Sequence, residues 1–387
     1  MKILQRYFAV SIAQAVAVVL LAFLGLLGFM DLTGELPLVG KNGYAMQHAL
    51  LYVVVMVPQH VYEVMPVAAL IGTIYIMAQF ASSSEFTIMR ASGMSTRMAA
   101  WMLFKIGIGL VIVTFIFGEL IAPRTAPLAE RLHLTGRGTT VSSEFRSGLW
   151  TKDIVKSDGL KGTVQGSRFF NVREVMPDGR LVGVKLYEFD NSFRLRTLTA
   201  AKAGSYQGNN VWRLEDVTEN HFTNPALLKE EATVKNNFAQ ETSAIATQRY
   251  ATKDLVSEIT PKILSVAASD PEQMSANELA VYTRHLQENR QQTERFKIAF
   301  WKKLIDPLAI FVLMALALPF GYLHVRAGGV SLKIFIGIMI GVSFLLVNTL
   351  FSHIGVLSTL PAFVTAVMPS LIFLALAIAA LYWVERH

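Results

Sequence analysis

Two blocks of long apolar segments flank a polar middle third, and this pattern limits the fold more than any other feature of the chain. A bilayer core of about 30 Å is crossed by roughly 20 apolar residues in a helix. Residues 8–30 supply the first such run. A second covers 49–80, interrupted by Pro58, His60, Glu63 and Pro66, and a third covers 99–122. Three more follow the polar middle, at 300–323, 334–351 and 361–383. The expected fold is therefore an α-helical membrane protein with six transmembrane helices, three on each side of an insert. The first run begins after Lys2 and Arg6 but is longer than the apolar core of a signal peptide, about 7–15 residues, so it reads as a retained helix.

Charge supports this division. Of the 35 Lys and Arg and 28 Asp and Glu, 22 and 21 respectively fall in residues 125–295, so the middle is nearly balanced and the apolar flanks carry most of the net charge of +7. Basic charge beside apolar helices points to membrane loops rather than nucleic acid. Placing the N-terminus inside puts Lys2, Arg6, Arg90, Arg97, Arg326, Lys333 and Arg386 in inner segments and only Lys41 in a short outer loop. The bias of Lys and Arg toward the cytoplasm then sets both termini inside and the insert outside. Charged residues are only 16% of the chain, against about 25% in soluble domains, which argues against a purely soluble enzyme. The absence of cysteine excludes disulfides, thiolate catalysis and Cys-ligated metal.

The insert alternates strand-like runs with turns. Strand signals occur at 148–151, 168–172, 182–189 and 211–214, and turn signals at 177–179, 190–192 and 208–210. Residues 275–298 contain no Gly or Pro and read as one polar helix leading into the fourth span. The expected domains are 1–123, with helices 1–3 and a cytoplasmic helix at about 82–95; 124–296, an all-β exterior domain with a helical return; and 297–387, with helices 4–6. Phe189 is a test position for the interior of the β domain.

Few motifs carry chemistry. Residues 34–42 resemble a phosphate-binding loop only by eye, since the glycine spacing is wrong and Asn42 replaces the Ser or Thr that would hold magnesium. The eight His are scattered, no HExxH or GxSxG occurs, and no metal or catalytic site is expected. Glu63, Glu119 and Asp306 are ionisable groups in or near spans, where such groups are costly. A basic collection at the outer interface comprises Lys41, Arg124, Arg131, Arg137, Lys297, Lys302 and Lys303. It suits either snorkelling to water or contact with the phosphates of an anionic lipid. Between the second and third spans, the serines at 82–84 and Glu85 favour a helix start and Gly93 its end, with Phe86, Ile88, Met89 and Met94 as apolar contacts. An amphipathic helix of this kind docks into a groove on a cytoplasmic partner or lies in the interface alone. Gly337 and Gly341 form a GxxxG that permits close helix contact.

The order of these pieces resembles the lipopolysaccharide export permease family (LptF/LptG). The stretches that carry the resemblance are Glu85 with Ile88, Met89, Arg90 and Gly93, Pro66 with Gly72, and Gly118, Glu119 and Pro123. Gly148, Leu149 and Trp150, the run 183–189, and Trp212, Arg213 and Leu214 resemble the exterior domain of the LptG branch. The resemblance implies a non-enzymatic permease subunit of an ABC-type machine in the inner membrane of a Gram-negative bacterium, serving outer membrane biogenesis. It implies a periplasmic β-jellyroll, an LptF-like partner subunit, an LptB-like ATPase dimer, and LptC and LptA bridge proteins. Lipopolysaccharide would be the cargo, and ATP and magnesium would bind the partner ATPase, with no cofactor on this chain. Glu85, Phe86, Ile88, Met89, Arg90 and Gly93 would couple to the ATPase. The basic collection would meet lipid phosphates. Gly25 and Gly28 on the first helix, with Gly337 and Gly341 on the fifth, would serve a lateral gate or helix packing. The first helix lacks the family's lysine at its outer end and reads Gly25-Leu26-Leu27-Gly28 there. An ion-coupled secondary transporter, or a membrane scaffold or intramembrane hydrolase with an exterior domain, are the competing readings of the residues alone.

Overall fold

The computed structural model describes residues 2–137, 148–159, 161–176, 179–222, 245–261, 263–264, 270–289, 291–322, 329–358 and 360–386. Two compact units divide the chain: Met1–His133, Pro271–Thr283 and Gln292–His387 form one, and Leu134–Asp270 with Arg284–Gln291 the other.

Among the described residues, six helical segments are long and apolar enough to cross a membrane: Gln5–Leu38, Met46–Ser82, Thr96–Leu134, Glu294–Gly321, Val330–Leu357 and Ala362–Val384. Helix α1 (Lys2–Glu35) and α2 (Met46–Ser82) form the first two. A seven-residue helix, α3 (Glu85–Ala91), follows, and α4 (Thr96–Phe115) opens the third span. Residues 58–74 of α2 are buried apart from Glu63, so this helix is apolar on nearly every side and occupies the centre. Phe8, Ile12 and Val16, spaced by four along α1, pack against it. Contact is closest at Gly72, where a Cβ would lie 2.7 Å from the Val16 backbone nitrogen.

The third span outlasts its apolar stretch. A π-helical turn over Ile116–Ile121 leads into α5 (Ala122–Arg137), and the Ala122 N–H donates to Phe117 O, five residues back. Pro123 lacks an N–H and cannot close the next ordinary helical bond, and π turns accommodate such interruptions. The expected boundary at 124 thus falls inside continuous helix. The return to the membrane is not one helix. It divides into α6 (Ala276–Glu288) and α7 (Glu294–Ile305), because the buried Asn289 side chain bonds His285 O and the Gln291 N–H turns back to Leu286 O. Helices α8 (Ala309–Ala317), α9 (Val330–Leu357) and α10 (Ala362–Arg386) complete the unit.

The second unit is an antiparallel sheet of β1 (Leu149–Asp158), β2 (Lys161–Val175), β3 (Leu181–Asp190), β4 (Leu195–Gly208), β5 (Val211–Phe222) and β6 (Ile245–Val256). The strands pair in chain order, a meander with no crossover pairing among the described residues. Two expected turns are built as their residues dictate. Asp190 Oδ1 accepts from the N–H groups of Ser192 and Arg194. Asn209 and Asn210 take φ of 49° and 63°, the left-handed pair that a two-residue hairpin requires. One face of the sheet buries Phe170, Leu181, Leu186, Trp212 and Leu214. Trp212 Nε1 donates to Ile259 O at 2.7 Å, so the ring is buried without stranding its polar atom. The other face carries Trp150 stacked on Tyr187 and Phe169 edge-on to Phe189. Phe189 therefore lies on the face opposite Leu186 and is not a probe of the packed interior.

Candidate functional site

Helix α3 is held by its own chain. Ser84, in the left-handed region at φ 61°, turns the backbone sharply after α2. At the other end the Gly93 N–H donates to Arg90 O and the Met94 N–H to Met89 O, a Schellman closure, with Gly93 at φ 92° and Met94 and Met89 both buried. Phe86 is 1% exposed and meets Tyr322 edge-on at 5.0 Å. The Arg90 guanidinium lies 4.8 Å from the centre of the same ring, whose hydroxyl donates to Thr96 Oγ1 at 2.8 Å. Glu85 accepts from Tyr7 of α1 at 3.2 Å and from Ser83 at 3.0 Å. Of the four apolar residues expected to make contacts, Phe86, Met89 and Met94 face inward, covered by the unit's own spans. Ile88, at 63% exposure, and Arg90 remain on the outer side, with Glu85 half-buried.

The four glycines separate into two pairs. A Cβ on Gly337 would lie 2.8 Å from Ile74 Cδ1 and one on Gly341 2.6 Å from Val67 Cγ1, so the GxxxG seats α9 on α2 of the same chain. Gly25 faces open space, and Gly28 has only Val53 nearby.

The basic collection does not form one site. Lys41, Arg124 and Arg131 are exposed, and the side chain of Arg137 lies outside the described residues. Lys297 pairs with Glu294 at 3.5 Å. Lys302 and Lys303 converge on Glu272, the first at its carboxylate and the second at its carbonyl. Lys303 is only 2% exposed and lies 4.5 Å from the centre of the Tyr62 ring. Packing against Tyr62 takes this ammonium off the surface where a lipid phosphate was expected. Gly118 approaches the other part of that ring so closely that a Cβ would collide with it.

The carboxylates at this end of the spans are engaged. Glu119 accepts the Ala276 N–H at the start of α6. Glu63 accepts from Gln59 at 2.7 Å, and His60 lies 2.6 Å from Asp31 and 3.8 Å from Glu63. Glu35 is buried between Tyr44 and His133, at 2.7 and 2.5 Å. Burial, then the bond to Glu35, raises the Tyr44 hydroxyl above its ordinary pKa. Asp31, Glu35 and His133 were not singled out from sequence, since each stands alone until helix packing brings it to a partner.

In the sheet unit a polar clasp joins β1 and β2 to the segment after β6. Buried Asp153 accepts from Ser257 Oγ at 2.6 Å and lies 3.5 Å from Arg168, which also bonds Glu188 and Val256 O. A cavity of about 300 Å³ opens beside these groups. Burial raises the Asp153 pKa against the effect of Ser257 and Arg168, and burial lowers that of His285.

Comparison with known proteins follows this geometry. The family described as lipopolysaccharide export system permease LptF/LptG matches residues 6–383. The chain is 27% identical over 379 residues to the lipopolysaccharide export system permease protein LptG of Escherichia coli, covering 97% of each chain. It is 29% identical over 378 residues to the protein of that name from Haemophilus influenzae, covering 96% of each.

Proposed function

Since the chain belongs to the lipopolysaccharide export system permease LptF/LptG family, we propose that it acts as the LptG-type subunit of an ABC-type export machine. In this reading it is a multi-pass protein of the bacterial inner membrane, with both termini cytoplasmic and residues 124–296 periplasmic. Residues 1–123 and 297–387 supply the spans. An LptF-like subunit completes the lipid cavity, and lipopolysaccharide enters from the outer leaflet. The sheet, as part of a jellyroll, passes the lipid toward LptC and LptA. ATP and magnesium bind an LptB-like dimer, and this chain takes part without catalysing hydrolysis.

The observation that carries the reading is the seating of α3. Its inner side is packed on α1 and the Tyr322 segment, and its outer side presents Ile88 and Arg90. A helix so attached passes a push on its outer side to the spans. The sequence has no phosphate-binding loop of its own, which agrees with energy supplied by a partner through such a surface. Moving acyl chains past water costs about 0.8 kcal/mol per exposed methylene, a load that needs external energy and apolar shielding.

The test is reconstitution of the chain with its partner permease and ATPase in liposomes containing lipopolysaccharide. ATP-dependent transfer of lipid to a soluble bridge protein is expected. Transfer that proceeds without ATP, or that follows an imposed ion gradient, would overturn the proposal.

A further inference from the structure

The α3-side end of the spans contains a groove to which the export reading assigns no role. Helices α1 and α4 part there around a groove of about 360 Å³ lined by Gln5, Arg6, Ala9, Met102, Lys105 and Ile106. Its lining has two cations and no acid. Arg6 and Lys105 are both exposed, and neither has a carboxylate partner among the described residues. Lys105 is the tenth residue of a helix that is otherwise apolar from Met98 to Val113. A cation at that depth is costly unless its long stem brings the charge to the interface or an anion meets it. Trp101 lies 5.6 Å from the Lys105 ammonium, is 55% exposed and stacks on Phe104, as an aromatic at a membrane–water boundary does.

We propose that this groove binds an anionic phospholipid of the leaflet on the α3 side. Its phosphate lies between Arg6 and Lys105, and its first methylenes run along Ala9, Met102 and Ile106. Charge complementarity selects the headgroup, since a guanidinium and an ammonium facing one cleft match a phosphodiester bearing net negative charge. Gln5 adds an amide donor at the rim. The site is tied to α3, because Tyr7, next to Arg6, donates to Glu85. The inference needs only that α1 and α4 cross a bilayer, and it stands apart from the export reading.

Trp101 supplies the probe. The full chain carrying Trp301→Phe and Trp383→Phe is reconstituted in nanodiscs containing phosphatidylcholine and phosphatidylglycerol, with either lipid brominated, and the same chain with Trp101→Phe gives the signal of Trp150 and Trp212 to be subtracted. Two cations near the surface favour brominated phosphatidylglycerol over brominated phosphatidylcholine in quenching Trp101 by roughly tenfold or more at low salt. Arg6→Gln with Lys105→Gln should abolish that preference, and Lys105→Arg should keep it. Equal quenching by the two lipids before any change to the cations would reduce the groove to ordinary boundary lipid and overturn the proposal, whether or not the glutamine variant inserts. A preference that survives in the glutamine variant would overturn it as well. Loss of phosphatidylglycerol quenching on adding millimolar inorganic phosphate would assign the cleft to a soluble anion instead.

Discussion

Gly341 of α9 rests against Val67 of α2 with no room for a side chain: a Cβ would lie 2.6 Å from Val67 Cγ1. Gly337 repeats the contact one turn earlier against Ile74. Gly341→Leu must therefore separate the two helices or displace Val67, at a cost of about 1–3 kcal/mol as for other overpacked sites. Reduced thermal stability of the detergent-purified chain is expected, with partial recovery in Gly341→Leu/Val67→Ala. Gly25→Leu, which meets open space, should leave that stability unchanged.

The two sides of α3 should respond differently. Phe86→Ala removes a fully buried ring and should cost about 3–5 kcal/mol, seen as protease cleavage between the second and third spans. Ile88→Glu and Arg90→Glu alter the outer side. They should leave folding near normal and reduce recovery of the ATPase in pull-downs. Normal recovery with both outer changes would remove α3 as the docking element.

Lys302 and Lys303 are adjacent in sequence but separate in environment. Lys303→Glu places a second negative charge beside Glu272 and against the Tyr62 ring in a closed site, so membrane expression should fall sharply. Lys302→Glu loses a partly exposed pair of small worth and should express normally. Lipid-stimulated ATP hydrolysis by the partner ATPase, assembled with the Lys302→Glu chain, then tests phosphate contact without confusion from misfolding.

The clasp in the sheet unit should be sensitive to truncation. Arg168→Met leaves the buried carboxyl of Asp153 without its cation and should destabilise the sheet by about 3 kcal/mol. Arg168→Met/Asp153→Leu removes both charges and should recover part of that loss. Hydrogen exchange at the amides of β1 and β6 in the intact chain reports the difference.

Acid should weaken the same unit through His285. Its folded pKa lies below the ordinary value of 6.5 because burial disfavours the charged ring. The unfolded chain therefore binds the proton first as pH falls below about 6.5, and stability declines until the folded pKa is passed. Asp153, raised by burial, acts in the opposite direction: its contribution is lost as pH rises from the ordinary carboxylate range. His285→Gln should flatten the decline of protease resistance between neutral and mildly acidic pH.

Much of this arrangement was legible because lipid-crossing helices announce themselves by composition over long windows. The six apolar runs fall within or overlap the six long helices, and strand runs at 168–172, 182–189 and 211–214 fall in β2, β3 and β5. What escaped was set by tertiary contact. β6 shows little apolar alternation, since most of its side chains are exposed and it is held by pairing with β5. The helix through Pro123 continues by adopting a π turn, and the break at Asn289 depends on a side chain reaching a carbonyl of its own helix. The site residues show the same limit. A lysine reads alike in sequence whether it meets solvent, as Lys41 does, or an aromatic face, as Lys303 does. The inward side of α3 could not be assigned from seven residues that offer apolar groups on two sides.

The burial of α2 has a mechanical consequence. Packed against α1, α4, α8 and α9 at once, it cannot shift without displacing its neighbours. Only Ser83 and Ser84 link its end to α3, too short a connection to absorb displacement as slack. A displacement of α3 would therefore reach the buried helix before the rim, where α1, α9 and α10 turn broad apolar faces outward.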